Sequence, residues 1–185
     1  ILHKYPADFM IGVDFGSYQL IKNNLPIDIA LGDFDSINSK ELEIIKSSGV
    51  KIYKYKSEKD STDTEIALNY ALNLKPKVIN LFGVTGKRID HFLGVLNLYS
   101  IVLNYPVDLF IIDEFNKIYL RKPGEYVIKK TDFKYISFFA YNEKVINLTL
   151  KNFKYELRDY LLERKDTLCI SNEIIKDEGI VKLDS

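Results

Sequence analysis

Two carboxylates, Asp33 and Asp35, stand one residue apart at the point where an apolar run ends. The run before them, residues 27–31, is typical of a short buried strand. If extended geometry continues through Phe34, the two carboxylates face one space. Mg²⁺ in proteins typically binds one or two carboxylates together with water and substrate phosphate. The spacing therefore fits a magnesium site, and a solvated loop before a helix explains the same residues equally well.

Three further polar segments also follow apolar strand-like runs: Asp14, residues 59–63 and residues 83–91. In an open parallel sheet, ligands bind beyond the carboxyl ends of the strands, so we expect all four features at one edge. Gly83 and Gly86 allow close backbone approach, and cationic side chains follow just before a predicted helix start, where anions are favoured. Each feature alone is more often a plain turn or a solvated charge pair. Together, acidic side chains that can bind a metal ion and basic side chains that can bind phosphate indicate phosphoryl-type transfer or hydrolysis.

The elements that must position these residues alternate between strands and helices over the first part of the chain. This order predicts a parallel sheet with helical cover. Asn38 with Glu41 and Thr62 with Glu65 predict helix starts with capping boxes, and Gly49 predicts a helix end. The segment from Asp90 to Asn104 predicts one helix rich in Leu, Val and Tyr.

After Asp113 the helical periodicity stops, and short β-rich runs separated by turn residues follow. These runs predict an antiparallel β-sandwich. We therefore expect two domains, residues 1–114 and 115–185. The predicted strands of the second domain are residues 117–120, 125–128, 135–140, 145–150, 153–157, 167–170 and 179–183.

Composition limits the class of protein. Lys+Arg and Asp+Glu are both 26, so the net charge is zero and a nucleic-acid partner held by a basic surface is not expected. No apolar run approaches the ~20 residues of a membrane span, so no membrane partner is expected. The single cysteine, Cys169, fits a reducing, cytoplasmic compartment. The chain begins at Ile1 without Met, and we expect an N-terminal strand to be missing.

Residues 32–36, 59–65 and 83–91 resemble, in order and spacing, the motifs of the thiamin pyrophosphokinase family, and residues 153–155 and 171–173 resemble its thiamin-domain signatures. The resemblance implies a Rossmann-like α/β nucleotide domain followed by an antiparallel β-sandwich. It also implies a homodimer with active sites at the subunit interface. The implied reaction is transfer of diphosphate from ATP to the hydroxyl of thiamin, giving thiamin diphosphate and AMP.

The resemblance also implies roles for individual residues. The family positions that bind Mg²⁺ and act in catalysis are matched by Asp33, Asp35, Asp60 and Asp63. The family positions that bind the nucleotide are matched by Asp14, Gly16, Ser36, Lys59, Thr62, Gly86, Arg88, Asp90 and His91. The family positions that bind thiamin are matched by Ser171 and Asn172. Four positions depart from the family: Phe15 and Ser17 stand where Gly and Ala are common, Lys87 replaces a usual Gly, and Glu156 stands where Pro is common.

Two other functions remain as alternatives at this point. One is diphosphate transfer to another small alcohol, such as a pterin, by a related fold. The other is a thiamin diphosphate binding protein that keeps the fold without the chemistry. The β-rich half with Ser171 and Asn172 favours thiamin, and the retained metal-binding acids favour an enzyme.

Overall fold

The computed structural model describes residues 1–56, 58, 60–86 and 88–184. The chain divides into two compact units, Ile1–Lys117 and Ile118–Ser185. The boundary predicted from the sequence, between residues 114 and 115, lies 3 residues before this division. Within the described part of the chain, no helix is long and apolar enough to cross a membrane.

The strands that begin in the first unit, of which the last continues past the unit's final residue, Lys117, form two three-stranded sheets within the described residues. The first sheet is parallel, with strand order β1-β2-β3, and contains β1 (Ile11–Val13), β2 (Ile29–Gly32) and β3 (Lys51–Lys54). The second has strand order β4-β5-β6 and contains β4 (Val78–Phe82), β5 (Asp108–Ile112) and β6 (Lys117–Tyr119). β4 and β5 are parallel, with Phe82 opposite Ile112.

Among the residues that the structure describes, five α-helices connect these strands, and a short 3₁₀ turn at Leu2–Lys4 precedes them. They are α1 (Phe15–Lys22), α2 (Ser39–Ser47), α3 (Asp63–Asn73), α4 (Ile89–Asn97) and α5 (Tyr99–Val102). The single helix expected from Asp90 to Asn104 is wrong, because the chain breaks at Leu98 between α4 and α5.

The predicted helix caps are largely present. Asn38 and Glu41 form a complete capping box at the start of α2. The Thr62 side chain accepts the N–H of Glu65 at 3.2 Å, while the Glu65 carboxylate accepts the hydroxyl of Ser61 at 3.0 Å. α2 ends before Gly49, whose φ of 78° suits glycine. Local side-chain chemistry therefore sets where these helices begin and end.

The core of the first unit lies against the first parallel sheet. All four residues of β2 are buried, and Ala30 and Leu31 have no exposed surface. Ala30 packs with Phe34 and Ile45, so α2 covers this sheet. The central strand of the sheet is thus buried along its whole length and ends directly before Asp33.

The second unit contains one four-stranded antiparallel sheet with strand order β7-β10-β8-β9. Its strands are β7 (Gly124–Lys129), β8 (Lys144–Lys151), β9 (Leu157–Glu163) and β10 (Glu178–Asp184). The strands predicted at 135–140, 153–157 and 167–170 are wrong as regular strands. Two isolated bridges occur there instead, Ile136 with Asn172 and Phe153 with Ile174. These segments contribute Ala140, Phe153 and Cys169 to the core over the sheet, which makes the unit sandwich-like.

Candidate active site

Three carboxylates meet where the strands of the first sheet end. Asp14 follows β1, Asp33 follows β2, and Asp63 is the first residue of α3 after β3. One carboxylate oxygen from each lies within 4.8 Å of the others. Asp33 is buried, whereas Asp14 and Asp63 are half-buried. Three oxygen ligands at this separation, at a sheet edge where ligands bind, form a candidate metal site.

Backbone geometry holds Asp14 in this group. Asp14 has a φ of 44°, a left-handed value that is uncommon for a residue other than glycine. Its Oδ1 accepts the N–H of Phe34 at 3.1 Å. Gly32 has a φ of 151°, and a Cβ atom there would collide with Oδ1 of Asp14. The glycine is therefore needed both for its backbone conformation and for the close approach of the Asp14 carboxylate.

Asp35 takes a different position from the one that strand alternation predicts. β2 ends at Gly32, and Phe34 has a φ of 61°, so extended geometry does not continue through Asp35. The Asp35 N–H donates to Oδ1 of Asp33 at 3.0 Å, and the Asp35 side chain is exposed. Asp33 instead shares its space with Asp14 and Asp63, which follow two other strands.

Burial and crowding raise the pKa of Asp14. Desolvation is the largest cause, the N–H from Phe34 opposes it, and the negative charges of Asp63 and Asp33 raise the pKa further, to about 6. Burial and the two neighbouring carboxylates therefore both disfavour the charged form of Asp14. A bound cation would stabilise that charged form.

The other residues predicted around the first sheet lie at its edge. Gly16 is in the first turn of α1, and Thr62 is the N-cap of α3. Ser36 and Asp60 are exposed, and with Asp35 they lie outside the group of three carboxylates. Lys59 lies outside the described residues, so its predicted role stays a prediction.

The start of α4 carries the remaining nucleotide-site candidates. Arg88 is its N-cap, Asp90 and His91 lie in its first turn, and all three are exposed, as is Gly86 in the preceding loop. Arg88 Nε donates to Oδ1 of Asp90 at 3.2 Å, and Nη2 donates to Oδ2. This pairing holds the pKa of Asp90 below its ordinary value. An exposed guanidinium paired with an exposed carboxylate can exchange that partner for phosphate.

The two thiamin-site candidates in the second unit are adjacent in sequence but differ in environment. Ser171 is exposed, has a φ of 59°, and donates its N–H to Ser137 Oγ at 3.0 Å. Asn172 is only 2% exposed. Its Oδ1 accepts the N–H groups of Tyr155 and Glu173 at 3.0 and 2.9 Å, and its Nδ2 donates to the Tyr155 carbonyl at 2.8 Å. Asn172 is thus engaged with main chain, while Ser171 faces solvent.

Comparison with known proteins covers both units. A family model described as thiamin pyrophosphokinase, catalytic domain, matches residues 4–111, and one described as thiamin pyrophosphokinase, vitamin B1 binding domain, matches residues 125–185. A thiamine pyrophosphokinase from Bacillus subtilis (strain 168) is 42% identical over 171 residues, 91% of this chain and 79% of that protein. The chain belongs to the thiamin pyrophosphokinase family. The family expected from the sequence motifs is therefore confirmed.

Solved structures of thiamin pyrophosphokinases have the same fold. The crystal structure of the Bacillus subtilis enzyme has a TM-score of 0.91 at 37% identity, covering 98% of this chain and 86% of that chain. The enzyme from Geobacillus thermodenitrificans has a TM-score of 0.89 at 32% identity, covering 100% and 86%. The expected fold class, an α/β domain followed by a β-sandwich-like domain, is confirmed. All three clustered carboxylates fall within the catalytic-domain match, and Ser171 and Asn172 fall within the vitamin B1 binding match.

Proposed function

We propose that this chain transfers a diphosphoryl group from ATP to the hydroxyl of thiamin, giving thiamin diphosphate and AMP. Membership of the thiamin pyrophosphokinase family supports the general reaction, and the expectation of a diphosphotransferase that forms thiamin diphosphate is confirmed. ATP, Mg²⁺, the site residues and the dimer are parts of the proposal. The observation that supports the metal and the phosphate site is the meeting of Asp14, Asp33 and Asp63 at the ends of parallel strands, and the family resemblance supports the dimer and the thiamin residues.

In the proposed reaction, the hydroxyl oxygen of thiamin attacks the β-phosphorus of ATP. The bond from that phosphorus to the oxygen bridging the α- and β-phosphates breaks, and AMP leaves with that oxygen. The hydroxyl proton is released. Such transfers need the entering and leaving oxygens in line and the developing charge neutralised, so the protein acts mainly by positioning and electrostatics.

The residues fit a divalent cation of the magnesium type. Their donors are all carboxylate oxygens, which hard cations prefer, and the pKa of Asp14, raised by burial and then by its acidic neighbours, marks uncompensated negative charge. We propose that Asp14, Asp33 and Asp63 hold Mg²⁺, with exposed Asp35 and Asp60 completing the site towards substrate. When bound, Mg²⁺ supplies positive charge for the phosphates of ATP.

Arg88 is the proposed cationic contact for the transferred phosphates, at the N-terminus of α4. Gly16, Ser36, Lys59, Thr62, Gly86, Asp90 and His91 are the other proposed nucleotide contacts. We expect Arg88→Ala to weaken ATP binding about tenfold or more, because a charge-assisted partner is lost. Direct titration with ATP measures this. Unchanged ATP affinity together with unchanged turnover would remove Arg88 from the site.

Ser171 and Asn172 are proposed to bind thiamin in two different ways. Ser171, being exposed, contacts the substrate, and Asn172 shapes the site by holding the main chain of Tyr155 and Glu173. We further propose that the enzyme is a homodimer whose active sites are shared between subunits, as the family resemblance implies. A cytoplasmic location fits the single cysteine.

The decisive experiment incubates the protein with ATP, MgCl₂ and thiamin and separates the products by chromatography. We expect equal amounts of AMP and thiamin diphosphate. Two parallel reactions, one with a pterin alcohol replacing thiamin and one without MgCl₂, test the substrate and the metal. ADP with thiamin monophosphate as products, or thiamin diphosphate binding without turnover, would contradict the proposal.

A further inference from the structure

Three segments of the second unit form one solvent-facing surface around Ser171, and the first of them is residues 171–175. Burial alternates along this segment, because Ser171 and Ile175 are exposed and Glu173 is half-buried, whereas Asn172 and Ile174 are buried. Side chains two residues apart in such a segment lie on the same face. Glu173 therefore shares the outer face with Ser171, the proposed thiamin contact.

The other two segments are residues 135–139 and 153–155. They border residues 171–175 through the two isolated bridges of this unit. Large aromatic side chains in these segments are more than half exposed: Tyr135 (54%), Phe139 (64%) and Tyr155 (58%). The surface around Ser171 therefore offers aromatic rings to a ligand.

Glu173 adds a fixed negative charge to this surface. Its main chain is held from two sides, since its N–H donates to Asn172 Oδ1 at 2.9 Å and its carbonyl accepts the N–H of Lys154 at 2.8 Å. Its Oε1 accepts the ammonium group of Lys154 at 3.0 Å. This hydrogen bond lowers the pKa of Glu173, so the carboxylate is charged at neutral pH.

The ammonium groups of two lysines mark where this surface attracts a cation. The Lys154 ammonium lies 3.0 Å from Glu173 Oε1 and 5.6 Å from the centroid of the Tyr155 ring. The Lys134 ammonium lies 4.9 Å from the centroid of the Tyr135 ring. Carboxylates and the faces of aromatic rings both attract positive charge. The same groups would attract a ligand whose positive charge lies on a ring.

An ordinary surface ion pair explains the contact between Lys154 and Glu173, but it does not make that contact permanent. The main-chain hydrogen bond between the same two residues already joins their segments, and exposed ion pairs contribute little to stability. The Lys154 side chain is 49% exposed, and lysine has a long, flexible stem. Lys154 can therefore turn towards solvent when another cation approaches the Glu173 carboxylate.

We propose that Glu173 is a specificity-determining residue that recognises the positive charge of the thiazolium ring of thiamin, which displaces the Lys154 ammonium from the carboxylate. This inference rests on the proposed function, in which Ser171 contacts thiamin. The thiazolium nitrogen carries a permanent charge and no N–H group, so charge and aromatic faces recognise it rather than hydrogen bonds. Lys154 then competes with the substrate for Glu173.

Two variants break the same ion pair from opposite sides. Glu173→Gln removes the charge that attracts thiamin, whereas Lys154→Met removes the competing charge and keeps the apolar stem. We expect the Kd for thiamin, measured by calorimetric titration, to rise about tenfold in Glu173→Gln. It should fall about threefold in Lys154→Met. Any other combination would overturn the inference, because a merely structural ion pair is lost equally in both variants.

An uncharged substrate analogue isolates the effect of charge. In this analogue a carbon atom replaces the thiazolium nitrogen, which makes the ring a neutral thiophene of the same shape. Wild type should bind it about tenfold more weakly than thiamin. Glu173→Gln and Lys154→Met should bind it within about twofold of the wild-type affinity. A loss of analogue affinity in Glu173→Gln as large as the loss for thiamin would overturn the inference.

Lys46→Met is the matched control for net charge. It removes an exposed ion pair to Glu43, whose partner atoms lie 2.9 Å apart in the first unit. We expect it to leave the Kd for thiamin unchanged. A gain in thiamin affinity equal to that of Lys154→Met would overturn the inference, since the overall charge of the protein would then explain both.

Binding and turnover separate this inference from the proposed function. Wild type that binds thiamin but makes no AMP from ATP would contradict the proposed function, while the titrations would still test the role of Glu173. Normal AMP formation with the same KM for thiamin in wild type and Glu173→Gln would overturn the inference and leave the proposed function standing. Wild type that neither binds nor converts thiamin would overturn both.

Discussion

Asp14 shows how a backbone conformation can prepare a charged site. Its positive φ and the missing Cβ of Gly32 bring its carboxylate close to those of Asp33 and Asp63. Such crowding costs free energy in the metal-free protein, because burial and like charges disfavour the ionised form. Functional sites commonly hold unfavourable arrangements of this kind, which their ligands relieve.

The raised pKa of Asp14, caused first by burial and then by neighbouring carboxylates, predicts pH-dependent binding of Mg²⁺. Below a pH of about 6 a proton occupies the Asp14 carboxyl and must leave before the cation binds. Calorimetric titration with MgCl₂ should therefore show affinity falling towards about tenfold per pH unit below that value. Asp14→Asn should bind Mg²⁺ more weakly, with a flatter pH profile. Constant wild-type affinity between pH 5 and 8 would exclude Asp14 as a ligand.

The same shift affects the stability of the metal-free protein. The pKa of Asp14 is raised by burial from 3.8 to about 6 on folding, so the unfolded chain ionises first as pH rises. The contribution of this group to the free energy of unfolding is fully present below pH 3.8 and is lost as pH rises to about 6. We expect Asp14→Asn to be more stable than wild type at pH 7 in EDTA, measured by urea unfolding. The difference should shrink at pH 4.

Ser17 offers a stability test at a single atom. Its side chain has no exposed surface, and within the described part of the chain its Oγ has no hydrogen-bond partner. A buried unsatisfied hydroxyl costs about 1–3 kcal/mol, so Ser17→Ala should raise the free energy of unfolding by about 1 kcal/mol. Ser47→Ala is the control, because the Ser47 hydroxyl is exposed and bonded to the Glu43 carbonyl at 2.8 Å. A less stable Ser17→Ala protein would mean that the hydroxyl has a partner, such as water.

At the scale of elements, the features that depend on neighbouring residues were predictable. Asn38 and Thr62 cap helices as expected, because their side chains reach backbone N–H groups only three residues away. The break between α4 and α5 at Leu98 was not predictable, because the apolar periodicity of the sequence continues through that residue. There the Ser100 hydroxyl donates to the Asn97 carbonyl at 2.7 Å, and the N–H groups of Leu98 and Ile101 bond three residues back. These bonds tighten the turn and end α4.

The strands of the second unit differ more from the predicted ones, because their pairing joins segments that are distant in sequence. β9 contains Arg158 and Asp159, and Asp159 has a φ of 49° where the pairing with β8 shifts, so apolar alternation is lost. Conversely, residues 135–140 are mostly apolar, which favours a strand, yet the structure has an isolated bridge between Ile136 and Asn172 there instead of a regular strand. Register shifts and single bridges depend on distant segments, which no local pattern contains.

In the candidate site, too, some features could be predicted from the sequence and others could not. The placement of Asp14 and Asp33 at strand ends followed from strand boundaries, whereas the outward position of Asp35 depends on the left-handed Phe34, which its residue type does not indicate.

The buried amide of Asn172 holds the main chain at Tyr155 and Glu173, so its loss should destabilise the second unit. Asn172→Ala removes three hydrogen bonds and leaves the N–H groups of Tyr155 and Glu173 without their acceptor. We expect the free energy of unfolding to fall by about 1–3 kcal/mol, measured by urea unfolding, and thiamin affinity to fall while ATP affinity changes little. Lys154→Met is the control and should change stability little, because it removes the ion pair to Glu173 and the cation–π contact with the Tyr155 ring but leaves the hydrogen bonds of the Asn172 amide in place. Normal thiamin affinity in Asn172→Ala would remove it from the substrate site.

At the scale of the whole molecule, each unit has its own core and its own part of the proposed site. Leu31 and Ile45 are fully buried in the first unit, as is Leu150 in the second. The three clustered carboxylates belong to the first unit and Ser171 to the second. In the proposed reaction the thiamin hydroxyl meets the β-phosphorus of ATP in line, so both parts are needed, and in the proposed homodimer each subunit supplies one part of each active site.

Complementation between two inactive variants tests this sharing of sites. Asp35→Asn changes an exposed carboxylate of the first unit, so the fold should be kept while most turnover is lost. Ser171→Trp places a large side chain at an exposed position of the second unit and should block thiamin binding.

If each active site combines the first unit of one subunit with the second unit of its partner, a mixed dimer has one site with both changes and one with neither. An equal mixture of the two variants, after subunit exchange, forms about half mixed dimers at random pairing, so activity should recover to about a quarter of wild type. Mass spectrometry of differently tagged variants verifies the exchange. Exchange without recovered activity would show that each site is built within one chain.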